Sequence, residues 1–325
     1  MLPPMAIFFP LFTLLEDFGI LPRIAFNLDG YFEKNGTCGK QALTMCMGIG
    51  CNAVGVTGAR IIDSRRERLI AILTNSFIPC NGRFPTLITL LTLFFSITSN
   101  SILNTSINVF LLTIIILIAI FITFIISKIL SKTILKGENS FFILELPPYR
   151  KPQIIKVLVR SLVDRTLKIL GRAIIVSASA GLIIWLLTNI NINNLSILSY
   201  TSNFLNPIGN LIGLDGVILT AFFLGFPANE IVLPIIIMGY MSSGIMMDIS
   251  DLNVIKSLFI NNGWNVVTAL CMIIFMVFHF PCSTTLITIY KETKSIKWTI
   301  LSFLIPLMIG IMLCLLVNFI SIIFV

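Results

Sequence analysis

Residues 216–241 read GVILTAFFLGFPANEIVLPIIIMGYM. A helix crosses the hydrocarbon of a bilayer with roughly 20 apolar residues, so this stretch is long enough to span. Its middle, however, is Gly225-Phe-Pro-Ala-Asn-Glu230. Proline stops a helix because it has no N–H to give and its ring clashes with the turn before it. A carboxylate at that depth costs at least ~2.5 kcal/mol on insertion scales, which marks it as functional by default. Backbone left unpaired at membrane depth is tolerated only when buried in protein or lining a polar cavity. The stretch therefore predicts an all-α polytopic membrane protein with discontinuous or re-entrant helices.

The rest of the chain agrees. Of its 325 residues 57% are hydrophobic and 11% charged, against about 25% charged in a soluble domain. Phe84–Ser127 carries no Asp, Glu, Lys or Arg and is long enough for two spans. No cleavable signal peptide is expected from the start as it reads: Met1-Leu-Pro-Pro-Met5 lacks a basic n-region and runs straight into apolar sequence. The beginning is abrupt, as though upstream helices were missing. The net charge of +8 is clustered, which fits the positive-inside rule and argues against a nucleic-acid partner. Seven cysteines, mostly within apolar segments, do not make a disulfide framework. One histidine, His279, excludes a His-rich metal cage.

Three basic clusters orient the chain: Arg60–Arg68, Lys128–Arg172, and Lys291, Lys294 and Lys297. All three belong on the cytoplasmic side. Ser96–Asn104 and Asn189–Asp215, rich in Asn and Ser and nearly uncharged, belong outside as connections. Residues 69–96 then cross outward, 105–127 return and 173–188 cross outward again. One of the segments 216–241 and 264–289 must enter and turn back, and 216–241 is the better candidate because of its break. In the first half, 5–28 is a span, and 41–59 turns back at Gly48-Ile-Gly-Cys-Asn52. Each half thus reads as helix, re-entrant hairpin, broken span, helix, with opposite orientations. This is the inverted-repeat plan of transporters, whose sites form at discontinuous helices. Ile78-Pro-Cys-Asn81 against Phe280-Pro-Cys-Ser283 echoes it. The predicted divisions are 1–127, a cytoplasmic loop and amphipathic helix over 128–172, and 173–325. In the middle division Lys156, Arg160, Asp164, Lys168 and Arg172 form one polar stripe, the pattern of a helix lying on the inner membrane surface.

The chemistry gathers at four breaks: Gly50-Cys51-Asn52, Pro79-Cys80-Asn81, Pro227-Ala228-Asn229-Glu230 and Pro281-Cys282-Ser283. Thiolate sulfur and carbonyl oxygen together suit a borderline divalent ion such as Fe(II) or Zn(II). Cys51, Cys80, Cys282, Glu230, Asn52 and Asn229 are the candidate metal donors, with the asparagines alternatively capping half-helices. Cys38, Cys46, Cys271 and Cys314 read as small apolar fillers. Glu16 and Asp17, near Arg23, form either an internal ion pair or part of a transport route. His279 is either a ligand or a satisfied buried imidazole. There is no phosphate loop, since Gly39-Lys40 is followed by Gln41, and no nucleophile elbow or zinc-protease helix. No enzyme activity and no resident cofactor are expected.

An ordered series of motifs resembles the ferrous iron transporter B (FeoB) family. These are Leu15-Glu-Asp-Phe-Gly-Ile-Leu-Pro-Arg-Ile-Ala-Phe26, Gly50-Cys-Asn52 followed by the Arg-rich Asp63–Arg68, and Pro79-Cys-Asn-Gly-Arg-Phe-Pro85. Glu145-Leu-Pro-Pro-Tyr-Arg150, Gly225–Glu230 and Pro281-Cys282 through Trp298 complete the series. The resemblance implies two Gate-type repeats in a bacterial inner membrane and Fe(II) as transported ion. It maps the family's motif cysteines onto Cys51, Cys80 and Cys282 and its motif glutamate onto Glu230. The family's N-terminal G domain has no counterpart in this sequence, so GTP is not expected on this chain. A separate G protein or a small cytoplasmic accessory protein is the implied partner. The family's proline after Gly-Cys-Asn is Val54 here, and its lysine before the glutamate is Asn229. The other readings are a nucleoside or small-solute permease on the same repeats, and a non-transporting scaffold that recruits a G protein through Lys128–Arg172. The oligomeric state is not legible.

Overall fold

A computed structural model describes residues 7, 10–15, 18–95, 101–137, 168–192, 195–241 and 251–324. Glu16, Asp17, the Glu145–Arg150 loop and the first part of the polar stripe lie outside the described residues. The described chain is helical: α1 Ile20–Glu33, α2 Lys40–Gly50, α3 Asn52–Gly58, α4 Arg65–Thr74, α5 Phe84–Phe94, α6 Ser101–Lys132 and α7 Lys168–Asn189. There follow α8 Ile197–Ile212, α9 Gly216–Leu224, α10 Val232–Met241, α11 Leu252–Asn261, α12 Val266–Phe278, α13 Ser283–Thr293 and α14 Ile296–Phe324. A two-residue antiparallel pairing of Asn191–Ile192 with Leu195–Ser196 is the one strand pair among the described residues.

Among the described residues three helical stretches are long and apolar enough to cross a membrane: Ile102–Lys132, Val266–Thr293 and Ile296–Ile323. The bent pair of α8 and α9, at 108°, makes a fourth if counted as one span. Their surroundings differ. The apolar window of Ile102–Lys132 is 11% buried and that of Val266–Thr293 is 61% buried. The first presents its Ile, Leu and Phe side chains outward, as a lipid-facing helix does. The second is interior, and its interruption at 279–282 is accordingly enclosed by protein.

The chain divides into two compact units. One comprises 1–81, 116–174 and 284–304; the other comprises 82–115, 175–283 and 305–325. In the first, Phe32, Ala42, Met45 and Ile78 pack together with Ile120 and Phe124, and Phe32 meets Phe124 edge-to-face at 4.9 Å. Val56, Ala59, Ile72 and Ile289 form a second cluster. Ser64 starts α4 by accepting from the Glu67 N–H, the capping box that Ser-x-x-Glu spells. Ion pairs hold the loops. Arg60 clasps Glu292 through Nε and Nη2 at 2.8 and 2.7 Å. Lys40 bonds Asp63 at 2.5 Å and holds its carboxyl below the usual carboxylate range. In each pair one partner, Asp63 or Arg60, is solvated and the other is mostly buried.

In the second unit, Asn189–Asp215, expected as a connection, contains α8. The Asn and Ser content concealed a helical period: Leu198, Ser202, Gly209 and Ile212 are buried on one face, while Tyr200, Phe204, Ile208 and Leu211 are exposed on another. Ser196 caps its start, and Gly213, at φ 78°, ends it in a conformation that costs glycine nothing. Asp215 then caps α9 through the Ile218 N–H at 2.7 Å and accepts the Tyr240 hydroxyl. Trp264 Nε1 donates to Tyr240 at 2.6 Å and stacks on Phe259 at 4.3 Å.

A common wiring recurs in the two units. Asp29 Oδ1 accepts the Gly39 N–H at 2.6 Å, and Asn206 Oδ1 accepts the Gly216 N–H at 3.1 Å. A Cβ on Gly39 would lie 2.1 Å from Ala25 O, and one on Gly216 would lie 1.9 Å from Ser202 O. Ala25, Asp29, Gly39, Gly48, Cys51 and Asn52 have the same mutual spacings as Ser202, Asn206, Gly216, Gly225, Ala228 and Asn229.

Gly39→Ala and Gly216→Ala each force a methyl group onto a backbone carbonyl that cannot step aside. Each is expected to lower stability by about 1–3 kcal/mol. Gly30→Ala, in α1 with nothing within 4 Å of the new Cβ, should be neutral or stabilising by up to ~1 kcal/mol. Thermal unfolding in detergent measures all three.

Candidate functional site

The four expected breaks are all present; in the first unit one is braced by a neighbouring turn, and in the second one break packs against another. In the first unit α2 ends at Gly50, Cys51 is extended (φ −158°, ψ 124°), and α3 restarts at Asn52. The Asn52 amide, with its nitrogen toward the chain, donates to Gly48 O and Asn75 O at 3.2 Å each. Asn75, from the short 3-10 turn that follows α4, donates through Nδ2 to Asn52 O at 3.0 Å. Its Oδ1 is buried without a hydrogen-bond partner and lies against Gly48 and Gly55, where added Cβ atoms would come within 2.8 and 2.6 Å. Three residues beyond Asn75 the chain is extended at Ile78, then passes Pro79 and the buried Cys80. Beside this lies a second polar seam: Gln41 Nε2 donates to Thr74 Oγ1 at 3.0 Å and reaches Ser127 Oγ at 3.4 Å.

In the second unit α9 stops at Gly225, Ala228 is extended (φ −152°, ψ 119°), and a 3-10 turn begins at Asn229. Ala228 therefore repeats the backbone of Cys51 without the thiol. The facing break begins where α12 ends at Phe278. Ser283 N–H donates to Phe226 O at 2.9 Å, and His279 Nε2 lies 3.3 Å from Asn229 Oδ1. Carbonyls freed by the end of α12 are taken by a guanidinium: Arg83 Nη1 donates to Val277 O at 2.7 Å and Nη2 to His279 O at 3.4 Å. Arg83 is completely buried. Glu230 is half-buried, and its Oε2 has no hydrogen-bond partner among the described residues.

The structure thus places Cys51 and Asn52 at one break and Cys80 beyond the Asn75 turn that braces it. It places Asn229 and Glu230 at another break, opposite the one carrying Cys282. Cys51 and Cys282 are partly exposed. None of the seven cysteines is in a disulfide. The four expected as fillers divide: Cys38, Cys271 and Cys314 are buried and Cys46 is exposed. Cys314 Sγ donates to Cys271 O at 3.3 Å. Among the described residues no three His, Cys, Asp or Glu side chains are grouped to hold a metal ion. The residues that the sequence did not single out are Asn75, Gln41 and Arg83. Their only signal is polarity within, or at the edge of, apolar stretches.

Two family profiles match the chain: "Ferrous iron transport protein B C terminus" over residues 112–164 and "Nucleoside recognition" over residues 1–94. A relative from Staphylococcus aureus (strain MSSA476), named Fe(2+) transporter FeoB, is 31% identical over 94% of this chain and 44% of its own length. Relatives of the same name from Campylobacter jejuni and Leptospira interrogans are 28% and 25% identical over 93% of this chain. They are covered over 50% and 46% of their lengths, so the chain spans about half the length of the curated relatives it matches. No solved structure matches.

The Arg83 fork sets a test of the second unit. Arg83→Met removes both charge-assisted bonds and strands two buried carbonyls. At about 1.5–3 kcal/mol for a hydrogen bond to a charged group, the loss is expected to exceed 2 kcal/mol in thermal unfolding. Arg83→Lys should recover only part of it, because an ammonium lacks the planar fork.

Proposed function

The chain is a relative of the ferrous iron transport protein B family across nearly its whole length, and from that premise we propose that it carries Fe(II) across a bacterial inner membrane. It is a multi-pass transport protein rather than an enzyme. The path is lined by Cys51, Cys80, Cys282 and Glu230, with Asn52 and Asn229 supplying carboxamide oxygen, and its walls are two repeats of opposite orientation. The observation that carries this reading is the bracing of a break within each unit, Asn52 by Asn75 at 3.0 Å and Asn229 by His279 at 3.3 Å. Irregular backbone at that depth has to line a protein-enclosed or polar site, and these are the positions that bear thiol and carboxylate. The shared spacing from Ala25 to Asn52 and from Ser202 to Asn229 supports the repeats.

Thiolate and carboxylate suit the ion's borderline character, and each thiol gives up its proton as the metal binds. The ion keeps its oxidation state throughout. Drive from a separate G protein or a small cytoplasmic accessory protein belongs to the same proposal.

A second reading, a nucleoside or small-solute permease, is favoured by the "Nucleoside recognition" match over residues 1–94. It predicts nucleoside binding by the metal-free protein and no effect of Cys51→Ser.

Fe(II) uptake into proteoliposomes under reducing conditions separates the two. Wild type is expected to transport. Cys51→Ser, Cys80→Ser and Glu230→Gln should each reduce flux at least tenfold. Equal flux in all four proteins, or none in wild type with nucleoside uptake instead, overturns the metal reading.

A further inference from the structure

His279 is the chain's single histidine and is 1% exposed. Its Nδ1 lies 2.9 Å from Met276 O and 3.2 Å from Phe275 O. Carbonyl oxygens only accept, so Nδ1 carries the ring proton and Nε2 keeps its lone pair. That lone pair faces Asn229 Oδ1, another acceptor, at 3.3 Å. Two acceptors so placed repel unless the amide turns over or a cation joins them. The ring is packed against Phe222 at 4.9 Å and Phe280 at 5.3 Å, so the pair sits in a largely apolar wall.

We propose that His279 Nε2 and Asn229 Oδ1 are a paired nitrogen and oxygen donor for a borderline divalent ion of the Fe(II) class, a site that rests on the transport reading and extends it. Metal bonds to imidazole nitrogen and to oxygen are about 2.0–2.2 Å. Donors 3.3 Å apart then subtend about 100–110° at the metal, a tetrahedral angle. Imidazole is a standard ligand for iron and zinc. Counter-charge stands next in sequence, in Glu230 with its unpartnered Oε2. Arg83 bonds the main-chain carbonyl of His279. The donor also restores something that the second unit lacks. Where the first unit has Cys51, the equivalent spacing gives Ala228, and the imidazole supplies the nitrogen donor in place of the missing thiol.

The single histidine makes the test direct. The full chain, purified without a histidine tag and loaded with Fe(II) under anaerobic reducing conditions, is examined by X-ray absorption at the iron edge. Imidazole scattering can come only from His279. It is expected in wild type and absent in His279→Gln. Fe(II) affinity should fall at least tenfold in His279→Gln and in Asn229→Leu and stay within threefold of wild type in Asn229→Asp, which keeps an oxygen donor. Should His279→Gln fail to fold, the wild-type spectrum and the two Asn229 variants decide. Iron bound without imidazole scattering, or wild-type affinity in Asn229→Leu, overturns the site. Flux in proteoliposomes with no imidazole signal overturns this site and leaves transport standing. Imidazole signal without flux overturns transport and supports the site.

Discussion

Everything distinctive in this molecule follows from backbone groups that lose their helical partners inside apolar sequence. In hydrocarbon each such group costs several kcal/mol if left bare. The chain meets that cost differently at its two pairs of breaks. In the first unit neutral carboxamides serve: Asn52 donates to the carbonyls of Gly48 and Asn75, and Asn75 donates back to Asn52 O. In the second unit a buried guanidinium takes Val277 O and His279 O. An amide suits the first because it has both a donor and an acceptor and no charge to desolvate. A guanidinium suits the second because one planar group reaches two adjacent carbonyls.

Bracing of this kind makes glycine unavoidable nearby. Asn75 can lie across α2 and α3 only because Gly48 and Gly55 have no Cβ. Gly39 and Gly216 let backbone approach backbone, and the same approach lets Asp29 and Asn206 satisfy the amide N–H of those glycines. Packing and polar satisfaction are thus one requirement met by the same residues. Gly39, Gly48 and Asn52 accordingly recur at the same spacing as Gly216, Gly225 and Asn229.

The breaks were legible because their cause is local. Proline, glycine and asparagine interrupt apolar runs at Gly50–Asn52, Pro79–Asn81, Pro227–Glu230 and Pro281–Ser283, and helices end there in the structure. The helix α8 was hidden because its polar residues are Asn and Ser, which read as loop, although they fall on a helical period. The braces were illegible for a different reason. Arg83 finds its carbonyls 194 and 196 residues away, and nothing around Arg83 in sequence announces an insertion into the end of α12. The internal repeat was visible only as a Pro-Cys echo. The stronger trace, the shared spacing of Ala25–Asn52 and Ser202–Asn229, acquires meaning once Gly39 and Gly216 are seen making the same contact.

The two units therefore carry unlike side chains on like backbone. Cys51 and Ala228 share an extended conformation, but only one bears sulfur, and the second unit sets an imidazole and a carboxamide opposite instead. An ion that prefers sulfur alone would bind at Cys51 and stay. One that prefers oxygen alone would shun the thiols. A borderline divalent ion accepts sulfur, nitrogen and oxygen, so the transport proposal is compatible with both sets. Conduction also demands that no station hold too tightly, since an ion must leave as readily as it enters. On the transport proposal, separate donors of mixed chemistry serve such an ion better than one closed cage does.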